Sequence, residues 1–181
     1  MKICLTGGIA CGKSLLSRFL NELGVATIDA DDVVHELIPD PAERRRLAAE
    51  VFADPEKRKA LEARLHPQVR ERIARFLDSR PDADRSSLRV AVIPLLFEVH
   101  WDVDYDIICC IASSRDNQIS RMMTTRGYTR EEAEARLAAQ MPVAEKAEKS
   151  HYVIRNDGSA EDLRKQAAAF VQYIKNHGRR I

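Results

Sequence analysis

The residues Gly7-Gly8-Ile9-Ala10-Cys11-Gly12-Lys13-Ser14 carry the most specific chemistry in the chain. They match G-x-x-x-x-G-K-[ST]. In that spacing the glycines let successive backbone N–H groups face one anion, and the helix that follows presents its positive end to the same point. Lys13 can then reach the β- and γ-phosphates of a nucleotide, and the Ser14 hydroxyl can ligate Mg²⁺. The match carries weight only where a strand enters the loop and a helix leaves it, so the flanking sequence has to supply both.

It does. Residues 2 to 6 form a short apolar run ended by Gly7 and Gly8, as in a buried strand. From Lys13 to Leu23 the residues Leu15, Leu16, Phe19, Leu20 and Leu23 fall on one helical face, and Gly24 ends the helix. Val25 to Ile28 reads as a second strand, and Asp29-Ala30-Asp31 opens another helix, completing a unit of about thirty residues. The middle of the chain is helical. Asp40-Pro41 and Asp54-Pro55 each pair an N-cap with proline at the first helical position, and Val69, Ile73, Phe76 and Leu77 make an apolar stripe. Ser79 to Ser87 reads as a surface loop. Leu88 to Ile93 and Tyr105 to Ala112 are apolar enough for buried parallel strands. Thr129 with Glu132 predicts a capping box opening a helix through Gln140. His151 to Ile154 reads as a last strand, and Leu163, Ala167, Phe170 and Ile174 mark a closing helix. Strands alternating with helices imply an α/β protein with a parallel sheet covered on both faces.

Composition narrows the partners. Lys+Arg 29 against Asp+Glu 28 leaves a formal charge of +1, which gives no global reason to expect nucleic acid. No stretch is apolar enough to span a bilayer, and the amino terminus runs into the glycine loop without a signal segment, so a cytoplasmic protein with no membrane partner is expected. Cys4, Cys11, Cys109 and Cys110 form no C-x-x-C pair, so they read as reduced thiols, with Cys109-Cys110 serving packing. Oligomeric state stays open.

Among phosphate-loop proteins, a switch GTPase needs an Asn-Lys-x-Asp segment and a transporter ATPase a Ser-Gly-Gly signature; neither is present. Further segments are more telling: Thr6-Gly7-Gly8-Ile9, Ile28-Asp29-Ala30-Asp31, Leu65-His66-Pro67, Pro94-Leu95-Leu96-Phe97-Glu98, Arg136 to Gln140, and Val153-Ile154 with Asn156 and Gly158. In this order, over almost the whole chain, the sequence resembles the dephospho-coenzyme A kinases. The resemblance implies a P-loop NTPase fold with a five-stranded parallel sheet, a small helical acceptor domain at about 37–80 and a lid at about 114–142, within one kinase domain. It also implies ATP and Mg²⁺, and transfer of the γ-phosphate to the ribose 3′-hydroxyl of dephospho-coenzyme A.

The same resemblance assigns residues. Asp31, just past the second strand at the carboxyl edge of the sheet, is the expected base, with Lys13 and Arg121 beside the transferred phosphate. Ala10, Cys11, Gly12, Lys13, Ser14 and Leu15, with Arg136 and Asn156, are expected to hold ATP, and Ser14 the metal. Asp29, His66 and Glu98 are expected at the acceptor. Competing readings stay open: helix capping for Asp29 and Asp31, a helix start at His66-Pro67, and a helix-end charge at Glu98. Arg121, Arg126, Arg130 and Arg136 flank the expected lid. The family's second lid arginine falls at Thr125, one place before Arg126. Ala10 and Cys11 replace Gly and Ser, Leu15 replaces Thr, and His151 and Arg155 stand where the family tends to have aspartates. Between His35 and Arg44 the chain lacks twenty or more residues of the family's acceptor region. Two other functions remain beside the leading one: a nucleotide- or coenzyme A-binding regulator with little turnover, and a kinase of another ribose or nucleotide acceptor.

Overall fold

The structure, a computed structural model, describes residues 1–79 and 88–177. Apart from Ser79, the segment read as a surface loop therefore lies outside the described residues. The chain gathers into two compact units, Met1–Thr27 with Ser86–Ile181, and Ile28–Arg85.

In the first unit the apolar runs become strands because they can be buried on both faces. β1 (Ile3–Gly7) and β4 (Ile107–Ala112) are buried at every position. β2 (Ala26–Asp29), which passes into the second unit, β3 (Arg89–Val92) and β5 (Tyr152–Arg155) complete a five-stranded sheet in the order β2-β3-β1-β4-β5. β1 is central and parallel to both neighbours, with Cys4 opposite Ala91 on one side and Ile108 on the other. β4 and β5 are also parallel. The expected five-stranded parallel α/β fold is thus the observed one.

Helix α1 (Lys13–Glu22) buries Leu16, Phe19 and Leu20 in the same core as β1, β3 and β4. The closing helix, Ala160–His177, adds Leu163, Ala167, Phe170, Val171 and Ile174. At about 1.5–3 kcal/mol for each large apolar side chain buried, this stripe fixes the helix far more firmly than propensity does. Cys4, Cys11, Cys109 and Cys110 are buried and free. Burial pushes the Cys4 and Cys109 thiols well up and that of Cys110 to about 12, which keeps them as packing groups.

In the second unit, α2 (Ala30–Leu37), α3 (Pro41–Ala53) and α4 (Pro55–Asp78) follow one another with short links. Asp29, Asp40 and Asp54 cap them, each side chain accepting from a backbone N–H of the first turn. His66-Pro67 is not a helix start: Pro67 lies inside the 24-residue α4. Leu65, Val69 and Ile73, spaced four apart and buried, hold the helix across the missing proline N–H, and exposed Pro67 lets water reach the turn. The unit begins earlier than position 37, taking in all of α2.

The first unit's remaining helices are α5 (Arg115–Arg126), α6 (Arg130–Ala138) and α7 (Val143–Glu148), with the closing helix as α8. α6 opens on the predicted Thr129–Glu132 capping box and ends at Ala138, just short of Gln140. No sequence signal anticipated α7, a six-residue helix against β1 and β4.

Candidate active site

The glycine loop leaves β1 at its carboxyl end and enters α1, the geometry its anion-binding chemistry requires. Gly12 opens α1 at φ 101, a left-handed conformation that glycine adopts without strain, and a Cβ there would run into the Asn156 amide. Lys13 folds back over the loop: its Nζ donates to the carbonyls of Gly7 and Gly8, both at 2.9 Å. Ser14 is exposed on the first turn, Leu15 half-buried against the core, and Cys11 fully buried. Burial raises the Cys11 thiol, opposed by the nearby Lys13 charge, so the residue serves the loop through its backbone. Ala10 sits at φ 58, where any side chain is disfavoured by roughly 1–2 kcal/mol. Its methyl packs on Ile119, Met122 and Ala133 from α5 and α6, which offsets part of that cost.

Arg121 and Asn156 join this loop. Arg121 Nη1 donates to Ala10 O at 3.3 Å and Ser113 Oγ at 3.2 Å, and Nη2 to Asn156 O at 2.6 Å. The Asn156 side chain donates to Cys11 O at 2.9 Å, so the ends of β4 and β5 are tied to the loop's middle. Asp157 fastens the same corner, its Oδ1 accepting from Ser114 N, Asn117 Nδ2 and Ser113 Oγ. The Ser114 N–H, then the Asn117 and Ser113 side chains, hold its carboxyl at about 2.

Glu98 lies in the turn after β3, where Oε1 accepts from Lys146 Nζ at 2.7 Å and from Met141 N at 3.1 Å. Lys146, fully buried, also donates to Pro94 O at 2.7 Å. Arg136 is exposed on α6 with its guanidinium 4.2 Å from the centre of the Tyr128 ring. Arg126 is exposed at the end of α5, and Thr125 Oγ1 donates back to Arg121 O. The first unit thus brings together Ala10, Cys11, Gly12, Lys13, Arg121 and Asn156.

Asp29, Asp31 and His66 belong to the second unit. Asp29 is the α2 cap, accepting from Asp31 N at 2.9 Å, whereas the Asp31 carboxylate projects from the exposed first turn and takes no part in the cap. His66 is half-buried on α4.

Sequence reasoning assigned no role to four participants: Gln118, Gln140, Lys146 and Asp157. Gln118 Nε2 donates to Ile9 O at 2.7 Å, and Gln140 Oε1 accepts from Ile9 N at 3.1 Å. Lys146 stands in a polar run that reads as solvated surface, and its partner lies 48 residues away in sequence. The Asn156-Asp157-Gly158 turn offered the one available signal, a short polar turn directly after a strand.

A parallel sheet whose central strand runs through a glycine loop, with a lysine bent over it, into a helix packed by one face on the core defines an α/β protein of the P-loop kinase class. The model of the family described as dephospho-CoA kinase matches residues 1–43 and 41–162. The chain belongs to the dephospho-CoA kinase family. It is 39% identical to a dephospho-CoA kinase of Symbiobacterium thermophilum, over 92% of this chain and 78% of that one. It is 36% identical to one of Geobacillus kaustophilus, over 95% and 96%. That second alignment runs over 196 positions, more than the chain's 181 residues, so the relative carries residues with no counterpart here. Among solved structures, the dephospho-CoA kinase from Campylobacter jejuni superposes with a TM-score of 0.71 at 27% identity, covering 98% of this chain and 100% of that one.

Proposed function

We propose that this protein transfers the γ-phosphate of ATP to the ribose 3′-hydroxyl of dephospho-coenzyme A, giving coenzyme A and ADP. The observation that carries the reading is the β1–loop–α1 phosphate cradle with Lys13 across it, in a chain of this family. The attacking hydroxyl oxygen forms a bond to the γ-phosphorus, the bond to the β-phosphate oxygen breaks, and the hydroxyl proton passes to the Asp31 carboxylate. The loop amides of Ala10 to Leu15 receive phosphate oxygens. Lys13 exchanges its loop carbonyls for the β- and γ-phosphates. Arg121 adds positive charge at the same end of the site. Asn156 and Arg136 serve the nucleotide, and Asp29 and His66 the acceptor. Glu98 contributes through the stretch from Met141 to Lys146 that it holds.

Mg²⁺ fits the donor set. Among the described residues no group of three or more His, Cys, Asp or Glu forms a metal cage. The exposed Ser14 hydroxyl offers a protein oxygen that would hold a nucleotide-borne Mg²⁺. Bound there, the ion neutralises phosphate charge. Residues 114–142 act as the lid and the helices at 37–80 as the acceptor-binding part. No described helix is long and apolar enough to cross a membrane, and we read the site of action as cytoplasmic.

Incubation with Mg-ATP and dephospho-coenzyme A, followed by chromatography, tests the reading: coenzyme A and ADP should appear in equal amounts. ADP without coenzyme A, or no product, would refute it.

A further inference from the structure

Both main-chain polar groups of Ile9, in the outer limb of the phosphate loop, are taken by glutamine side chains from elsewhere in the unit. Gln118 on α5, 3% exposed, donates through Nε2 to Ile9 O at 2.7 Å. Gln140, just past α6, accepts through Oε1 from Ile9 N at 3.1 Å. The loop itself leaves these groups to them, since its own internal bond runs from Cys11 N to Gly8 O. Gly8 makes the approach of Gln118 possible, because a Cβ there would sit 2.7 Å from Nε2. The Ile9 and Ala10 side chains pack on the Ile119, Met122 and Ala133 cluster beneath. Gln140 is in turn held by its neighbour: Met141 N donates to Glu98, whose carboxylate is paired with the buried Lys146.

We propose that Gln118 and Gln140 are positioning residues, a two-sided clamp that keeps the phosphate loop in its anion-binding conformation, with the Glu98–Lys146 pair setting Gln140. The inference rests on the reading of this loop as the ATP site. A loop that is competent only part of the time binds its ligand more weakly by that fraction, so the clamp acts on ATP affinity. It leaves the chemistry of the bound complex and the acceptor KM largely alone.

The two amides are used in opposite senses, which makes the proposal testable. Glutamate keeps the shape and the acceptor of glutamine but loses the donor. Gln140→Glu therefore preserves its bond to Ile9 and Gln118→Glu does not, while both place one negative charge beside the same residue. The experiment measures ATP Kd by calorimetry, and initial rates against ATP at saturating dephospho-coenzyme A, for the full chain. The variants are Gln118→Glu, Gln140→Glu, Gln118→Met and Gln140→Met. Gln118→Glu should bind ATP about tenfold or more weakly than Gln140→Glu, the scale of one orphaned buried carbonyl. Each Met variant should lose about tenfold against wild type, with the loss in KM for ATP rather than in kcat. Equal Kd for the two Glu variants, or Met variants that bind as wild type does, would overturn the clamp. If Gln118→Glu fails to fold, as judged by thermal unfolding, Gln140→Glu against Gln140→Met decides, and equal weakening overturns it. Wild-type protein that binds no ATP would instead remove the reading of the loop on which the clamp depends.

Discussion

Asp29 and Asp31 stand two residues apart at the start of α2, and the structure divides their work. The cap belongs to Asp29, so Asp29→Ala should cost about 1 kcal/mol of stability in urea unfolding. Asp31→Asn should leave stability and ATP affinity near wild type while kcat falls by about 10²–10⁴, the usual worth of a positioned base. An Asp31→Asn protein that is destabilised but keeps its turnover would return Asp31 to a structural role. Lys13→Ala should lower kcat by at least about 10² with an unchanged circular dichroism spectrum, because it removes charge compensation from a loop whose fold rests on β1 and α1. Near-normal turnover would sink the phosphate-loop assignment. Asp157 gives a pH signature. Its folded pKa of about 2 lies below the ordinary 3.8, so its contribution is fully present above 3.8 and is lost as pH falls through about 2. Asp157 is exposed, so solvent screening keeps the effect small. Asp157→Asn keeps an acceptor oxygen but does not titrate, so the gap in Tm between wild type and variant should close across that window; a gap independent of pH would refute the assignment.

At the scale of elements, the stretch from Gln140 through α7 is fastened at Ile9, at Glu98 and at Pro94. Lys146→Met strands the Glu98 carboxylate opposite an apolar side chain. Breaking a buried pair from one side costs about 3–5 kcal/mol, and partial exposure of Glu98 puts this case at the lower end, about 3 kcal/mol. Adding Glu98→Gln removes the stranded charge and keeps an acceptor for Met141 N, so the double variant should recover most of the loss in urea unfolding. Two additive penalties would mean the pair is not coupled. The elements most legible in the sequence are those with local causes: the apolar runs of β1 and β4, the aspartate-proline starts of α3 and α4, and the Thr129–Glu132 box. The glycine loop is legible for the same reason, since its chemistry lies within eight consecutive residues. α7 has only Val143 and Ala147 as an apolar face, too short to read as a helix, and its inward Lys146 pairs with a distant glutamate, a tertiary fact with no local trace. Gln118 was equally silent, and Gln140 was visible only as the end of the Arg136–Gln140 segment with no role attached, because they reach Ile9 across 109 and 131 positions. Pro67 misled in the other direction: the sequence rule about proline is local, and the burial of Leu65, Val69 and Ile73 overrides it.

At the scale of the whole molecule, the chain is shorter than relatives it matches nearly end to end, and we propose, from its resemblance to the family, that the missing stretch lies between His35 and Arg44. There α2 ends at Leu37 and α3 begins at Pro41, with Arg44 Nη1 donating to Ile38 O at 2.6 Å and Pro39 O at 3.0 Å across the short link. Beside the link lies a groove of about 260 Å³ lined by Leu37, Ile38, Glu43, Arg64, Leu65 and Gln68. A remote arm of a substrate contributes binding energy that positions the reacting hydroxyl, and lost wall contacts remove that help. Dephospho-coenzyme A should therefore be phosphorylated with a raised KM, while the Kd for ATP, set by the other unit's loop, stays ordinary for the family. An acceptor cut back to its nucleotide end, such as adenosine or AMP, should lose less relative to the full acceptor here than in a full-length relative. The check is kcat/KM for both acceptors at saturating Mg-ATP in the two proteins. If the full acceptor keeps the larger relative advantage in this shorter chain, α3 and α4 supply the contacts that the missing stretch makes elsewhere, and the deletion has cost the acceptor site nothing.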